Sequence, residues 1–234
     1  VSRRSGRAAE SIVTAAAGGC LAALVGVPVG LPIPLAAIGV LNGAVCGWRG
    51  TYRWRRADGW VAFTLDSTWA IATTGASLVS HGVTALRRNG RFVADLSERT
   101  NRHVYEGGLA PRRGFAVTLG NTISGLGDTR DARRRRLIND HEDVHVWQAR
   151  WFGPLYPSLY VGWAVGGGAV GALRWLGRRS EPLGKMIETH SYYLNPFEWW
   201  AYSRDGEWPP IGMLPGRGWR KPMVRSFSSG VRRR

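Results

Sequence analysis

From Ser11 to Trp48 the chain carries no charged side chain. Drawn out as one helix, these 38 residues would extend about 57 Å, nearly twice the roughly 30 Å hydrocarbon core of a bilayer. Pro28, Pro32 and Pro34 fall in the middle of the run, where proline removes a helical hydrogen bond and clashes with the preceding turn. The run is therefore expected to fold back as a helical hairpin with arms near 12–27 and 35–48, inserted fully or partly into lipid. It is also far longer than the apolar region of a signal peptide, so a cleaved leader is not expected. Gly39, Gly43 and Gly47 recur every four residues. They line one helix face, a small-residue stripe that lets helices pack closely in lipid and offers a contact to a second chain, identical or different.

The formal charge of +16 and a pI near 11.2 would suit a nucleic-acid binder. The placement of the charges argues against that partner. Arg3, Arg4 and Arg7 precede the uncharged run, and Arg49, Arg53, Arg55 and Arg56 follow it. Arg87, Arg88 and Arg91 follow a second apolar stretch, and Arg174, Arg178 and Arg179 end a third. Basic clusters at the ends of apolar runs are what anionic lipid and the positive-inside rule select. Trp48, Trp54, Trp60, Trp151 and Trp175 sit near the same ends, as in an interfacial aromatic belt. Membrane lipid is the expected partner. The two cysteines, Cys20 and Cys46, both lie in the apolar run and read as small packing residues rather than a disulfide or thiolate framework.

The second apolar stretch, Trp60 to Leu86, is interrupted by Asp66 and His81. An ionisable group at membrane depth faces a polar interior, so Asp66 is expected to pair with an arginine, or else to support a metal-bound histidine. The polar stretch that follows holds two β-prone runs, 102–106 and 115–119, separated by a Gly/Pro-rich segment, which predicts a β-hairpin with a long loop.

An amphipathic helix is expected from Arg133 to about Arg150, closed by Gly153-Pro154. It contains His141-Glu142-Asp143-Val144-His145. On a helix, histidines at i and i+4 project from one face, so His141 and His145 can hold a zinc ion while Glu142 accepts a proton from water at the metal. A catalytic zinc needs a third protein ligand and an open position. The downstream candidates are Glu188, His190 and Glu198. The uncharged run 151–173 separates them from the histidines and is long enough to cross a bilayer. If it crossed once and 183–205 did not, Glu198 and His145 would lie on opposite sides. A bend at Gly166–Gly168, or a buried helix that never crosses, keeps the site together.

The pair of motifs, His141-Glu142-x-x-His145 and Glu198-Trp199-Trp200-Ala201 within the helix after Asn195-Pro196, resembles the gluzincin class of zinc metallopeptidases, and the whole is similar to bacterial membrane proteins carrying the histidine motif. Tyr202 stands where an aspartate often follows the alanine in that class. The resemblance implies His141, His145 and Glu198 as zinc ligands and Glu142 as general base. It also implies a peptide or protein substrate and a bacterial plasma-membrane location; the basic clusters, by the positive-inside rule, predict the amino terminus and the zinc site at the cytoplasmic interface. His190, Tyr192, Tyr193 and Tyr202 are candidates to stabilise an oxyanion, with His103 as a more distant alternative.

The expected fold is mainly α: membrane-associated helical hairpins plus a zincin-like helix pair with a small β-hairpin. The expected division is a membrane hairpin with basic ends (1–59), a second membrane-associated segment (60–90), a zincin-like domain (91–210) including an apolar helix or re-entrant segment 151–173, and a basic, disordered tail (211–234). The competing reading is a non-enzymatic membrane scaffold with a degenerate or structural metal site.

Overall fold

A computed structural model describes residues 3–87, 89–110, 115–177, 179–206, 208–219 and 221–224. Arg88, Arg178, most of the predicted hairpin loop's end (111–114) and residues 225–234 of the predicted tail lie outside the described residues. The fold is mainly helical with one small mixed sheet. The chain divides into two compact units, one of residues 1–135 and 146–154, the other of residues 136–145 and 155–234.

The first unit opens with the expected helical hairpin. Helix α1 (Arg3–Gly26) passes through a 3₁₀ turn (Val27–Val29) into α2 (Pro32–Arg49), with Pro28 and Pro32 at the first positions of their elements, where a missing N–H costs nothing. Left-handed Gly30 completes the reversal. The glycine stripe is used inside the chain. A Cβ on Gly39 would stand 2.3 Å from the carbonyl oxygen of Gly18, one on Gly43 2.2 Å from that of Thr14, and one on Gly47 2.4 Å from Ser11 Cα. This corrects the expectation of a stripe open to a second chain: α1 already occupies that face. Thr14 Oγ1 also donates to the Gly43 carbonyl at 2.6 Å across the same contact. Arg4–Val29 is, among the described residues, the one stretch long and apolar enough to cross a membrane, and only 28 % of its most apolar window is buried. Ile12, Val13, Leu24, Ile33 and Leu41 leave more than half of their surface exposed on this hairpin.

The stretch 60–86 forms two helices, α3 (Ala57–Ser67) and α4 (Ile71–Leu86). The core against the hairpin is Cys46, Tyr52, Ala62 and Phe63, covered by Ala17, Leu21, Trp54 and Trp147. Asp66 is 1 % exposed and accepts from Arg150 Nε at 2.8 Å, Arg150 Nη2 at 2.9 Å, Tyr52 OH at 3.0 Å and Asn121 Nδ2 at 3.2 Å. Its partner is thus an arginine, as expected, and the alternative of Asp66 supporting a metal-bound histidine is excluded by these bonds. Two other basic residues at the run ends are likewise paired with carboxylates, Arg7 with Glu98 at 2.6 Å and Arg53 with Asp58 at 3.2 Å, as is Arg99 of the polar stretch with Glu10 at 2.6 Å.

The sheet departs from the predicted hairpin. Strands β1 (Arg91–Phe92), β2 (His103–Glu106), β3 (Val117–Leu119) and β4 (Thr122–Leu126) lie in the order β1-β2-β4-β3. Both predicted runs are strands, but β4 lies between them, parallel to β2 and antiparallel to β3. The tight turn is Gly120-Asn121, with Gly120 at φ +55° in the left-handed region, the position that favours glycine in a two-residue hairpin loop. Glu106, at the end of β2, accepts from Thr129 N at 2.8 Å, from the Thr129 hydroxyl at 2.5 Å and from Arg91 Nε at 2.8 Å. Burial alone would raise its carboxyl, but the Thr129 and Arg91 bonds outweigh it and hold it at about 2. Because the folded value is depressed, this contribution to stability is complete above the ordinary carboxylate range and is lost as pH falls towards about 2. Glu106→Gln is expected to flatten the stability profile below about pH 4.5, read by denaturant unfolding at stepped pH. An unchanged slope would contradict this.

The second unit is a second helical hairpin. Helix α7 (Leu155–Gly177) is unbroken, with no bend at Gly166–Gly168. The chain then returns antiparallel through α8 (Leu183–Glu188), a π-helical turn (Thr189–Tyr193) and α9 (Pro196–Asp205). The return is close: a Cβ on Gly167 would stand 2.3 Å from the His190 carbonyl oxygen, and one on Gly171 2.6 Å from that of Met186. A returning helix, rather than a bend in 151–173, brings residue 198 back beside the start of α7. Within the predicted disordered tail, the described residues Trp219 and Met223 touch α9. Trp219 stacks on Trp199 with ring centroids 4.2 Å apart, and Met223 N donates to Ser203 Oγ at 2.7 Å.

Candidate metal centre

All three residues of the predicted ligand set lie in the second unit. The helix begins as α5 (Ala132–Arg136), widens into a π-helical segment (Leu137–Glu142) and continues as α6 (Asp143–Phe152). His141 and Glu142 end the widened segment and His145 lies in the first turn of α6. Segments of this kind concentrate at functional sites because they re-aim side chains without ending the helix. A π-helical turn also precedes α9, whose N-terminus is capped by Asn195: its side-chain oxygen accepts from Phe197 N at 3.1 Å, and Pro196 occupies the first position. That cap fixes Glu198 in the first turn of the helix.

The donor atoms converge. His141 Nε2 and His145 Nε2 are 3.3 Å apart. Glu198 Oε2 is 3.4 Å from His141 Nε2, and Oε1 is 3.4 Å from His145 Nε2. Two ligands at roughly 2.0–2.1 Å from a tetrahedral centre stand about 3.3–3.4 Å from each other; the two Nε2 atoms match that edge, while Glu198 presents a different oxygen to each imidazole, with one ligand atom of each residue within 4.8 Å of the others. All three side chains are buried, and Glu198 Oε2 has no hydrogen-bond partner. A buried carboxylate oxygen left without a donor is costly, and a cation beside it would remove that cost. Among the described residues, His141, His145 and Glu198 are the group that could hold a metal ion.

The surrounding bonds aim the ligands. His141 Nδ1 lies 3.2 Å from Asp205 Oδ2, which assigns the Nδ1 proton to that contact and leaves Nε2 as the nitrogen that would give up its proton to bind a metal. Tyr156 OH lies 3.3 Å from His145 Nδ1, and Tyr160 OH donates to Glu198 Oε1 at 2.7 Å. The Tyr202 ring meets the edge of His141 at 4.6 Å between centroids. Burial opposes the charged form of His141, yet the nearby carboxylates of Asp205, Glu198 and Glu142 outweigh it and raise the ring to about 10. His145 is raised as well, burial being outweighed first by the Glu198 charge. Burial would raise Glu198, but His145 and His141 hold it well below the usual carboxylate range. The pocket is built to hold positive charge between two imidazoles and a carboxylate.

The other sequence candidates are elsewhere. Glu188 is half exposed and pairs with Lys185 at 2.7 Å. His190 is buried, with Nδ1 2.8 Å from the Met186 carbonyl and Nε2 3.1 Å from Arg174. His103 belongs to the other unit, where its Nε2 lies 3.2 Å from Cys46 Sγ. Of the oxyanion candidates, Tyr202 touches a ligand, while Tyr192 reaches Tyr202 at 3.3 Å between hydroxyls. Sequence reasoning missed Tyr156, Tyr160 and Asp205. Two signals were available: Tyr156 and Tyr160 share a helix face at i and i+4, and Asp205 follows Glu198 by two helical turns.

Asp205→Asn is expected to weaken metal binding by about 10–100-fold, since the amide loses the charge that orients and polarises His141. Competition against a chromophoric chelator measures this, and an unchanged affinity would remove Asp205 from the site. No protein-family profile, curated protein or solved structure matches the chain.

Proposed function

We propose that this chain is a membrane-embedded zinc metallopeptidase-like hydrolase of the gluzincin type, with His141, His145 and Glu198 as zinc ligands and Glu142 as general base. The observation that carries the reading is the convergence of two imidazole Nε2 atoms and one carboxylate at 3.3–3.4 Å, with Glu142 buried beside the first ligand. Zinc, when bound, supplies a Lewis acid that makes water acidic near neutral pH and polarises a scissile carbonyl. The chain supplies the rest. Glu142 follows His141 directly and takes the proton from the attacking water, then returns it to the leaving amine. Asp205 holds the His141 tautomer, and Tyr160 fixes one oxygen of Glu198. Tyr202, against His141, is the candidate donor to a developing oxyanion.

The exposed apolar faces of α1, α2 and α7 support a membrane setting. Val161, Val165 and Leu173 of α7 are more than half exposed, and an exposed apolar helix face suits contact with lipid or another apolar partner. The basic clusters at the ends of the apolar runs support a plasma-membrane location. The substrate class is then a membrane-associated peptide or protein. The burial of all three ligands favours one competing reading, a scaffold with a structural metal site.

Chelation separates the two. Purified protein in detergent, given a peptide library anchored to micelles, is expected to cleave it. Cleavage should stop with 1,10-phenanthroline and return with stoichiometric zinc. Zinc-replete, folded protein that cleaves no peptide would favour the scaffold.

A further inference from the structure

The second unit carries an apolar groove of about 670 Å³ along α7, outside the metal centre. Its wall is formed by Leu159, Gly162, Trp163, Gly166 and Val170, and Arg174 stands at one end. The glycines make the depth: a Cβ at Gly162 or at Gly166 would meet nothing within 4 Å. No lining residue is acidic. Arg174 Nη1 is held by His190 Nε2 at 3.1 Å, while His190 Nδ1 lies 2.8 Å from the Met186 carbonyl. Nδ1 therefore carries the ring proton and donates it, and Nε2 accepts from the guanidinium. The arginine is thus positioned by an acceptor nitrogen, and among the described residues it has no carboxylate partner. Its remaining donors are those that bind phosphate oxygens well.

We propose that this groove is a lipid site, taking one acyl chain of an anionic phospholipid along α7 with the headgroup phosphate on Arg174. Charge complementarity selects the occupant: an apolar channel without acidic residues ends in one oriented cation. The dimensions agree. From Leu159 to Arg174 the helix rises about 22 Å, close to one leaflet with its headgroup zone, half of roughly 40–45 Å. That places Arg174 at phosphate depth and Leu159 towards the middle of the bilayer. The inference rests on the membrane setting proposed above and not on the metal.

The test uses full-length protein in phosphatidylcholine vesicles containing a small, fixed fraction of a diazirine-acyl lipid, either phosphatidylglycerol or phosphatidylcholine, with crosslinks mapped by mass spectrometry and zinc measured on the same samples. The expected result is labelling concentrated on residues 159–170, about tenfold stronger for the anionic probe, as the loss of a charge-assisted bond implies. Arg174→Gln should remove that preference and Arg174→Lys should retain most of it. Gly166→Leu should lower labelling by both probes. Equal labelling by the two probes would overturn the proposal, as would labelling spread equally over α1 and α2. So would a Gly166→Leu variant that converts a dimer to a monomer with labelling unchanged, since the groove would then be an interface between copies. Preference without bound zinc would sink the hydrolase reading alone, and zinc without preference would sink the lipid site alone.

Discussion

Replacing Asp66 with alanine is expected to destabilise the protein by about 3–5 kcal/mol, the cost of stranding a buried charge. Arg150 and Asp66 have side chains 1 % and 2 % exposed and are joined by two hydrogen bonds of 2.8 and 2.9 Å. Removing the carboxylate leaves the guanidinium buried, still bonded to the Asn101 carbonyl and lying over Trp147 at 4.9 Å, but without this counter-charge. Tyr52 loses its acceptor in the same step, and Asn121 loses one of its acceptors while keeping Asn42. The diagnostic is the double variant. Asp66→Leu with Arg150→Met removes both charges and refills the volume, and a buried pair replaced in this way is commonly neutral or stabilising. Denaturant unfolding of the two variants in detergent should show the double variant recovering most of the loss. If it is as unstable as Asp66→Ala, the cost lies in the surrounding hydrogen bonds and not in the stranded charge.

Glu142→Gln is expected to lower peptide hydrolysis by roughly 10²–10⁴-fold while leaving the metal in place. The amide keeps the size and the position in the widened helical segment but cannot accept a proton. Glu142 is not among the three converging ligands, so its neutralisation removes no bond to the metal. It does remove one negative charge that favours protonated His141 and His145, which in the metal-free protein makes the rings easier to deprotonate for binding. Retained zinc with lost turnover therefore points to proton transfer. Retained turnover would place the base elsewhere, and loss of both would make Glu142 structural.

The hairpin was legible because three prolines fall inside one uncharged run, and that combination leaves few ways to fold. The glycine stripe was legible as a packing face, but nothing in a single sequence says which helix packs there, and α1 is the occupant. Strand β4 escaped notice because Thr122-Ile123-Ser124-Gly125-Leu126 is short, small and wholly buried, so it shows no alternation of exposed and buried positions. Its insertion between the two predicted strands is a long-range choice that the Gly120-Asn121 turn alone does not fix. At the candidate site the two histidines and Glu198 were readable from local spacing and a motif. The groups that aim them, Tyr156, Tyr160 and Asp205, reach the site through the antiparallel return of the chain along α7, and that return depends on glycines packing against backbone rather than on any local pattern.

The central claim is a three-ligand metal site, and its most direct test is the metal content of detergent-purified protein, measured by mass spectrometry for the wild type beside His141→Ala and Glu198→Ala. The account predicts about one zinc per chain in the wild type and none retained in either variant after dialysis, with helical content unchanged, because two remaining ligands hold zinc far more weakly than three. A wild-type chain that is folded, contains no zinc and takes up none when it is supplied would contradict it.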